Sequence, residues 1–130
     1  MKAAYPIVLT SDEKWMLVYV PDFDINTEGR DLADAMEMAR DAIGLMGITM
    51  EDDGKPLPAP SDLRAVAAEH TEGVVSLVDV DFTEYRRAND MRTVRRNVSL
   101  PQWLNVQADK AGINVSAVLQ KALKAELGIG

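Results

Sequence analysis

The stretch "RTVRRNVSLP", residues 92–101, places three arginines in a chain whose formal net charge is -7. Its side chains alternate between apolar and polar up to Leu100, which is typical of a β-strand with one buried face. Pro101 suits the first position of a helix, because the donor that it lacks has no intrahelical partner there. We therefore predict a strand that ends at about Leu100 and passes directly into a helix.

The two faces of this predicted strand differ in chemistry. The apolar face consists of Val94, Val98 and Leu100, and the polar face consists of Thr93, Arg95, Asn97 and Ser99. Arg96 interrupts the apolar face and has no role in this pattern. The alternation indicates that one face is buried, while the other is a row of side chains that form hydrogen bonds.

Two helices follow the strand, one from Pro101 to about Lys110 and one from Asn114 or Val115 to Leu127. A lone strand leaves its backbone donors and acceptors without ladder partners. The simplest partner is the same strand of a second copy, paired antiparallel about a two-fold axis. We therefore predict a homodimer formed through this strand, and the sequence leaves open whether dimers pair into tetramers.

A two-stranded ribbon fits the major groove of DNA, where Arg, Asn, Ser and Thr read base edges. The predicted base-reading residues are Thr93, Arg95, Asn97 and Ser99. At the start of the second helix, Asn114 and the free amides of Val115 and Ser116 are predicted to hold a phosphate. The alternative is a solvated basic strand that serves only as an oligomerisation arm.

The charge is divided unevenly along the chain. Residues 1–83 carry 6 Lys and Arg against 17 Asp and Glu, whereas residues 84–130 carry 8 against 4. This division favours two domains with different partners, an acidic one suited to basic surfaces and a basic one suited to nucleic acid. We assign residues 1–83 to the first domain, the polar stretch 84–91 to a linker, and residues 92–130 to the second domain.

The acidic domain begins with two strand-like runs, "AAYPIVLT" (3–10) and "KWMLVYVPDF" (14–23), which predict a β-hairpin. The second run is apolar on both sides, so we expect a central strand or one covered by helices. The elements that follow are a short strand, a helix over 31–50 capped by Asp31, a short helix capped by Ser61 or Asp62, and a strand over 73–82. The order β-β-β-α-α-β predicts an α+β fold.

The helix over 31–50 has the period of a helix with one buried side. Its predicted buried positions are Leu32, Ala35, Met36, Ala39, Ile43 and Met46. Gly44 and Gly47 are expected to weaken its last turns, because glycine is a poor helix former.

The composition excludes several function classes. The chain has no cysteine, and therefore no disulfide and no thiolate nucleophile or zinc ligand. No apolar run is long enough to span a membrane and no signal peptide precedes the strands, so we expect a cytoplasmic protein, without a cofactor.

A two-metal nuclease cluster is one interpretation of four aspartates near strand ends, namely Asp22, Asp24, Asp79 and Asp81. His70 is the only histidine. Since such carboxylates are commonly solvated, we expect no metal site, no catalytic residue and no enzyme.

Residues 95–123, "RRNVSLPQWLNVQADKAGINVSAVLQKAL", resemble a ribbon-helix-helix DNA-binding domain. The likeness covers the strand, the "LP" turn, the first helix, the "GINVS" turn and the second helix. It implies that Arg95, Asn97 and Ser99 face the groove and that residues 114–116 hold the DNA backbone.

Residues 5–63 resemble the HicB family of antitoxins, which have a partial RNase H-like α/β-sandwich fold. The motifs are "YP" in the first strand, "VPDF" ending the second, "TEG" before the helix and "DDGKPLPAPS" after it. One departure is "PDFDINTEG", where many relatives have an apolar-Pro-Gly-Cys turn.

The resemblance implies an antitoxin that binds and blocks HicA, a small basic ribonuclease toxin that degrades mRNA, and that represses its own operon by binding operator DNA. It does not indicate which residues contact the toxin. The open alternative is a free-standing ribbon-helix-helix repressor whose acidic domain binds another ligand or protein.

Overall fold

The computed structural model describes residues 1–90 and 92–130. Contacts divide the chain into two compact units, Met1–Met91 and Arg92–Gly130, called the acidic unit and the basic unit below. Met91, the last residue of the predicted linker, lies outside the described residues. No helix in the described ranges is long and apolar enough to cross a membrane.

The acidic unit is built on a four-stranded antiparallel sheet with the order β3-β2-β1-β4. The strands are β1 (Lys2–Ser11), β2 (Met16–Val20), β3 (Ile25–Gly29) and β4 (Val74–Asp81). Two backbone hydrogen bonds between Asp12 and Trp15, at 2.8 and 3.1 Å, close the β1–β2 turn. The predicted hairpin, the short third strand and the late strand are therefore confirmed.

Two helices of this unit begin at the predicted caps. Helix α1 (Leu32–Asp52) starts at Asp31, whose carboxylate accepts a hydrogen bond from the Asp34 amide at 2.8 Å. Helix α2 (Leu63–Glu69) starts at Asp62, whose carboxylate accepts from the Ala65 amide. Of the two predicted caps for this second helix, the structure therefore uses Asp62.

Helix α1 packs on one face of the sheet and forms the core with it. The fully buried core side chains include Tyr5, Ile7, Val18, Val20, Ala35, Ala39 and Ile43. The prediction that Leu32 and Met46 belong to the buried stripe is wrong, since both are exposed. In the second half of the helix, the buried side includes Gly44 and Gly47 instead of Met46.

A third helix, α3 (Phe82–Ala88), explains why those two glycines are buried. A Cβ atom on Gly47 would lie 2.2 Å from the Phe82 ring, and one on Gly44 would lie 2.3 Å from the Tyr85 ring. Glycine at these two positions therefore lets α3 approach α1 closely, which offsets its poor helix propensity.

Residues 84–88, predicted as part of a linker, thus lie in a helix that packs on the acidic unit. The Tyr85 hydroxyl donates to Asp41 at 2.9 Å, and Arg86 donates to Asp52 at 3.0 Å and pairs with Glu51 at 3.4 Å. Helix α3 contributes only two large apolar side chains, Phe82 and Tyr85, so the stretch has no apolar period from which a helix can be predicted.

The basic unit contains helix α4 (Gln102–Ala111) and helix α5 (Val115–Leu127). Gly112 ends α4 in the left-handed conformation, with φ of 66°, where glycine carries no steric penalty. The predicted strand over 92–100 is not formed in the single chain. The physical reason is that residues 92–130 contain no other strand to complete a ladder with this stretch.

Candidate functional site

The predicted base-reading residues all lie on the surface of the basic unit. Thr93, Arg95, Asn97 and Ser99 are exposed. The face predicted to be buried is also exposed, with Val94 84% accessible and Val98 and Leu100 open to solvent. In the single chain, the apolar and polar sides of the segment are therefore both exposed, because no described residue of the unit buries Val94, Val98 or Leu100.

The same is true of the helices in this unit. Among residues 92–130 no side chain is fully buried, and Trp103 of α4 is 68% exposed. The exposed apolar residues of α5 are Val115, Val118, Leu123 and Leu127. Exposed apolar side chains of this number are unfavourable in water for a unit of this size.

Three of the seven predicted DNA-binding residues line one groove of the basic unit, namely Thr93, Arg95 and Ser116. The other four do not line it, namely Asn97, Ser99, Asn114 and Val115. Residues 93–96 line it on one side, and Ser116, Leu119 and Leu123 of α5 line it on the other. The structure therefore brings Thr93 and Arg95 close to the start of α5 within a single unit.

Asn114 has a role in its own helix. Its side-chain oxygen accepts a hydrogen bond from the Ala117 amide at 3.1 Å, which makes it the N-cap of α5. The first backbone bond of the helix runs from the Val118 amide to the Asn114 carbonyl. The amides of Val115 and Ser116 precede that bond and point out of the first turn, as helix geometry requires.

The four aspartates considered as a nuclease cluster are each engaged in structural bonds. Asp22 accepts from the Ser61 amide at 2.9 Å, and Asp24 accepts from the Tyr19 hydroxyl at 3.0 Å. Asp79 pairs with Arg40, and Asp81 caps α3. Within residues 1–90 and 92–130, no three potential ligands lie close enough to hold a metal ion.

Hydrogen bonds and burial shift the pKa of one aspartate and two tyrosines of the acidic unit. Arg40 donates from Nε to the Asp79 carbonyl at 3.0 Å and from Nη2 to its carboxylate at 3.3 Å, which lowers the pKa of Asp79. The hydrogen bond to Asp24 raises the pKa of Tyr19. Burial, with the bond to Asp41, raises the pKa of Tyr85 to about 12. Asp79, Tyr19 and Tyr85 therefore hold elements of the acidic unit together.

His70 also has structural neighbours. Its Nδ1 lies 3.2 Å from the Glu72 carboxylate, and its ring lies 5.7 Å from the Tyr19 ring. These contacts hold the end of α2 against strand β2.

Comparison with known proteins shows which family and which solved structures this chain is similar to. A family model described as the HicB_like antitoxin of bacterial toxin-antitoxin system matches residues 5–122. A toxin-antitoxin complex from Streptococcus pneumoniae is similar at 21% identity and a TM-score of 0.61, covering 97% of this chain and 99% of that one. The antitoxin HicB from Burkholderia pseudomallei is similar at 25% identity and a TM-score of 0.56, covering 96% of this chain and 96% of that one.

A further solved structure, a HicA3 and HicB3 toxin-antitoxin complex, is 26% identical with a TM-score of 0.53, covering 61% of this chain and 99% of that one. No protein of curated function matches the chain. The pneumococcal likeness, at 21% identity, concerns the fold alone, whereas the family model reaches from β1 into α5. The chain therefore belongs to the HicB-like antitoxin family of bacterial toxin-antitoxin systems.

Proposed function

We propose that this antitoxin neutralises a HicA-type ribonuclease toxin through its acidic unit, which has a partial RNase H-like fold, and represses its own operon through its basic unit. In the second role, two basic units form a ribbon-helix-helix dimer on operator DNA. The solved complex of HicA3 with HicB3 supports the first role, because it joins a toxin and an antitoxin of these types.

The observation that carries the second role is the exposed apolar surface beside the arginine-rich segment. In a dimer, residues 92–100 of two copies pair as antiparallel strands and complete each other's ladder. Val94 and Val98 are then covered, while Arg95 and Asn97 stay on the outer face of the ribbon. That face has the width and the side chains for the major groove.

Charge supports the first role independently. Residues 1–83 carry eleven more acidic than basic side chains. A field of this sign accelerates the encounter with a basic ribonuclease and repels RNA and DNA, the polyanions that a ribonuclease and a repressor bind. The acidic unit therefore suits a basic toxin, and the basic unit suits DNA.

Coexpression with the cognate HicA-type toxin, sought as a small basic open reading frame next to this gene, tests the toxin role. We expect the toxin alone to arrest growth and the full chain to restore it, because a bound toxin cannot reach mRNA. The measurement is colony formation with each gene under its own inducible promoter. Failure to restore growth, with both proteins present in the cell, contradicts the toxin role and leaves the free-standing repressor as the surviving function.

Arg95→Ala tests the predicted reading face. We expect operator affinity to fall by about 1–3 kcal/mol and discrimination at one base position to relax, because a bidentate contact to guanine is lost. Binding is measured on the operator and on a set of single-base variants. Arg96→Ala is the matched control, expected to weaken binding to all sequences equally. An unchanged affinity for Arg95→Ala removes that residue from the reading face.

A further inference from the structure

Strand β2 is apolar on both sides, but the acidic unit covers only one of them. Val18, 2% exposed, and Val20 face α1 and belong to the core. On the other side, Trp15 is 43% and Leu17 is 37% exposed. A sheet face with large apolar side chains in water is unfavourable unless a partner covers it.

The length of α2 explains why this side is open. The helix has only seven residues, and it packs on β1 and β4. The helix ends at His70, whose ring contacts the Tyr19 ring. It therefore does not extend along β2 beyond Tyr19. The half of the sheet face formed by β2 and β3 therefore has no covering layer among the described residues of the acidic unit.

Strand register defines the side chains that share this surface, called the open face below. Leu17 pairs with Glu28, and Tyr19 pairs with Asn26. Trp15 lies on the same side as Leu17, because its backbone bonds to Asp12 extend the hairpin by one pair. The open face thus has an apolar row along β2 and a polar row along the edge strand β3.

The border of the open face is acidic. Asp12, Asp24 and Glu28 are exposed, and none of the three forms an ion pair with another described residue. The cations nearest in sequence are Lys14, two residues after Asp12, and Arg30, two residues after Glu28. Arg30 is already paired with Asp34. The face therefore presents an apolar centre with a negative rim.

We infer that the open face is the surface on which the basic toxin docks. This inference rests on the proposed function and assigns that function a place on the molecule. Tyr and Trp are the side chains that most often dominate the binding energy of interfaces, and unpaired rim charges steer a partner of opposite sign. A basic protein with an apolar centre ringed by Lys and Arg complements both features.

The outer surface of α1 is the competing site, and it fits less well. Leu45, 56% exposed, is apolar there. However, Glu37 is already paired with Arg40. Glu51 and Asp52, farther along the same helix, are already paired with Arg86. The charges on this side are therefore largely satisfied within the unit.

Leu17→Lys and Leu45→Lys are the matched pair that tests the inference, because each places one cation at an exposed leucine. Binding of full-length chains to the cognate HicA-type toxin is measured by titration. We expect Leu17→Lys to weaken binding about 30-fold and Leu45→Lys to change it less than about 2-fold. Glu28→Lys, at an exposed position, is expected to slow association and weaken binding about 10-fold.

The outcomes separate the inference from the proposed function. If the unmodified chain does not bind the toxin, the proposed function fails. If the unmodified chain binds and Leu17→Lys and Glu28→Lys bind as tightly, the toxin docks elsewhere and the inference is overturned.

A measurement on the unmodified face makes the test independent of folding in the variants. In full-length Trp103→Phe, Trp15 is the remaining tryptophan. We expect toxin to protect its fluorescence from quenching by acrylamide, since docking covers the indole. A Trp15 that stays as accessible in the complex as in the free chain overturns the inference.

Discussion

A chain ended after residue 90 is expected to restore growth in the presence of toxin and to lose all specific operator binding. The core of the acidic unit lies entirely between Tyr5 and Phe82, so this unit keeps its fold when residues 92–130 are removed. The predicted reading face and the basic segment are lost together, and operator affinity falls by about 1000-fold or more. Growth rescue and an operator mobility shift measure the two effects.

The residue at which the chain is truncated affects the stability of the acidic unit. Ending it after residue 83 removes Tyr85 and Arg86, whose bonds to Asp41 and Asp52 hold α3 on α1. We expect the chain of 83 residues to be less stable than the chain of 90, because the surface around Gly44 loses its cover. This shorter chain is the control that separates loss of toxin binding through instability from loss through missing contacts.

Specific operator binding by the chain of 90 residues would contradict the assignment of DNA binding to the basic unit. Loss of growth rescue by that chain, with its thermal unfolding unchanged, would instead place part of the toxin surface in residues 92–130. Each result points to a different error, so both activities are measured on the same preparation.

The elements that local chemistry specifies could be predicted from the sequence. The hairpin follows from two strand-like runs with a turn between them, and α1 and α2 follow from aspartate caps before helical periods. Helix α3 could not be predicted, because its two apolar side chains pack against glycines of a distant helix. The same long-range contact moved the buried side of α1 toward Gly44 and Gly47 and left Met46 in solvent.

The candidate surfaces were predictable to different degrees. The polar face of residues 92–100 follows from alternation, but the ladder that would make it a strand depends on a second copy. The apolar pattern of β2 predicted a central strand or one covered by helices, and β2 is an inner strand of the sheet. The pattern did not indicate that α2 is too short to cover the second side of β2, since helix length depends on where the chain turns at His70.

Leu123→Lys is expected to abolish operator binding while leaving toxin binding unchanged. Leu123, 51% exposed in the single chain, borders the groove between residues 93–96 and α5. In the proposed dimer it lies in the shared apolar core, where an ammonium group has no partner and is costly to desolvate. The dimer then dissociates, and operator affinity falls by about 1000-fold.

The sign of the new charge makes Leu123→Lys informative. An added lysine strengthens non-specific attraction to phosphates, so electrostatics alone predicts tighter DNA binding, whereas loss of the dimer predicts weaker binding. Gln107→Lys, at an exposed polar position on α4 that does not line this groove, is the control and is expected to keep both the dimer and operator binding. Sedimentation gives the oligomeric state of each variant. A Leu123→Lys chain that remains dimeric and binds its operator would mean that the apolar side of α5 is not the dimer core, because no shared apolar core accommodates an unpaired lysine at so small a cost.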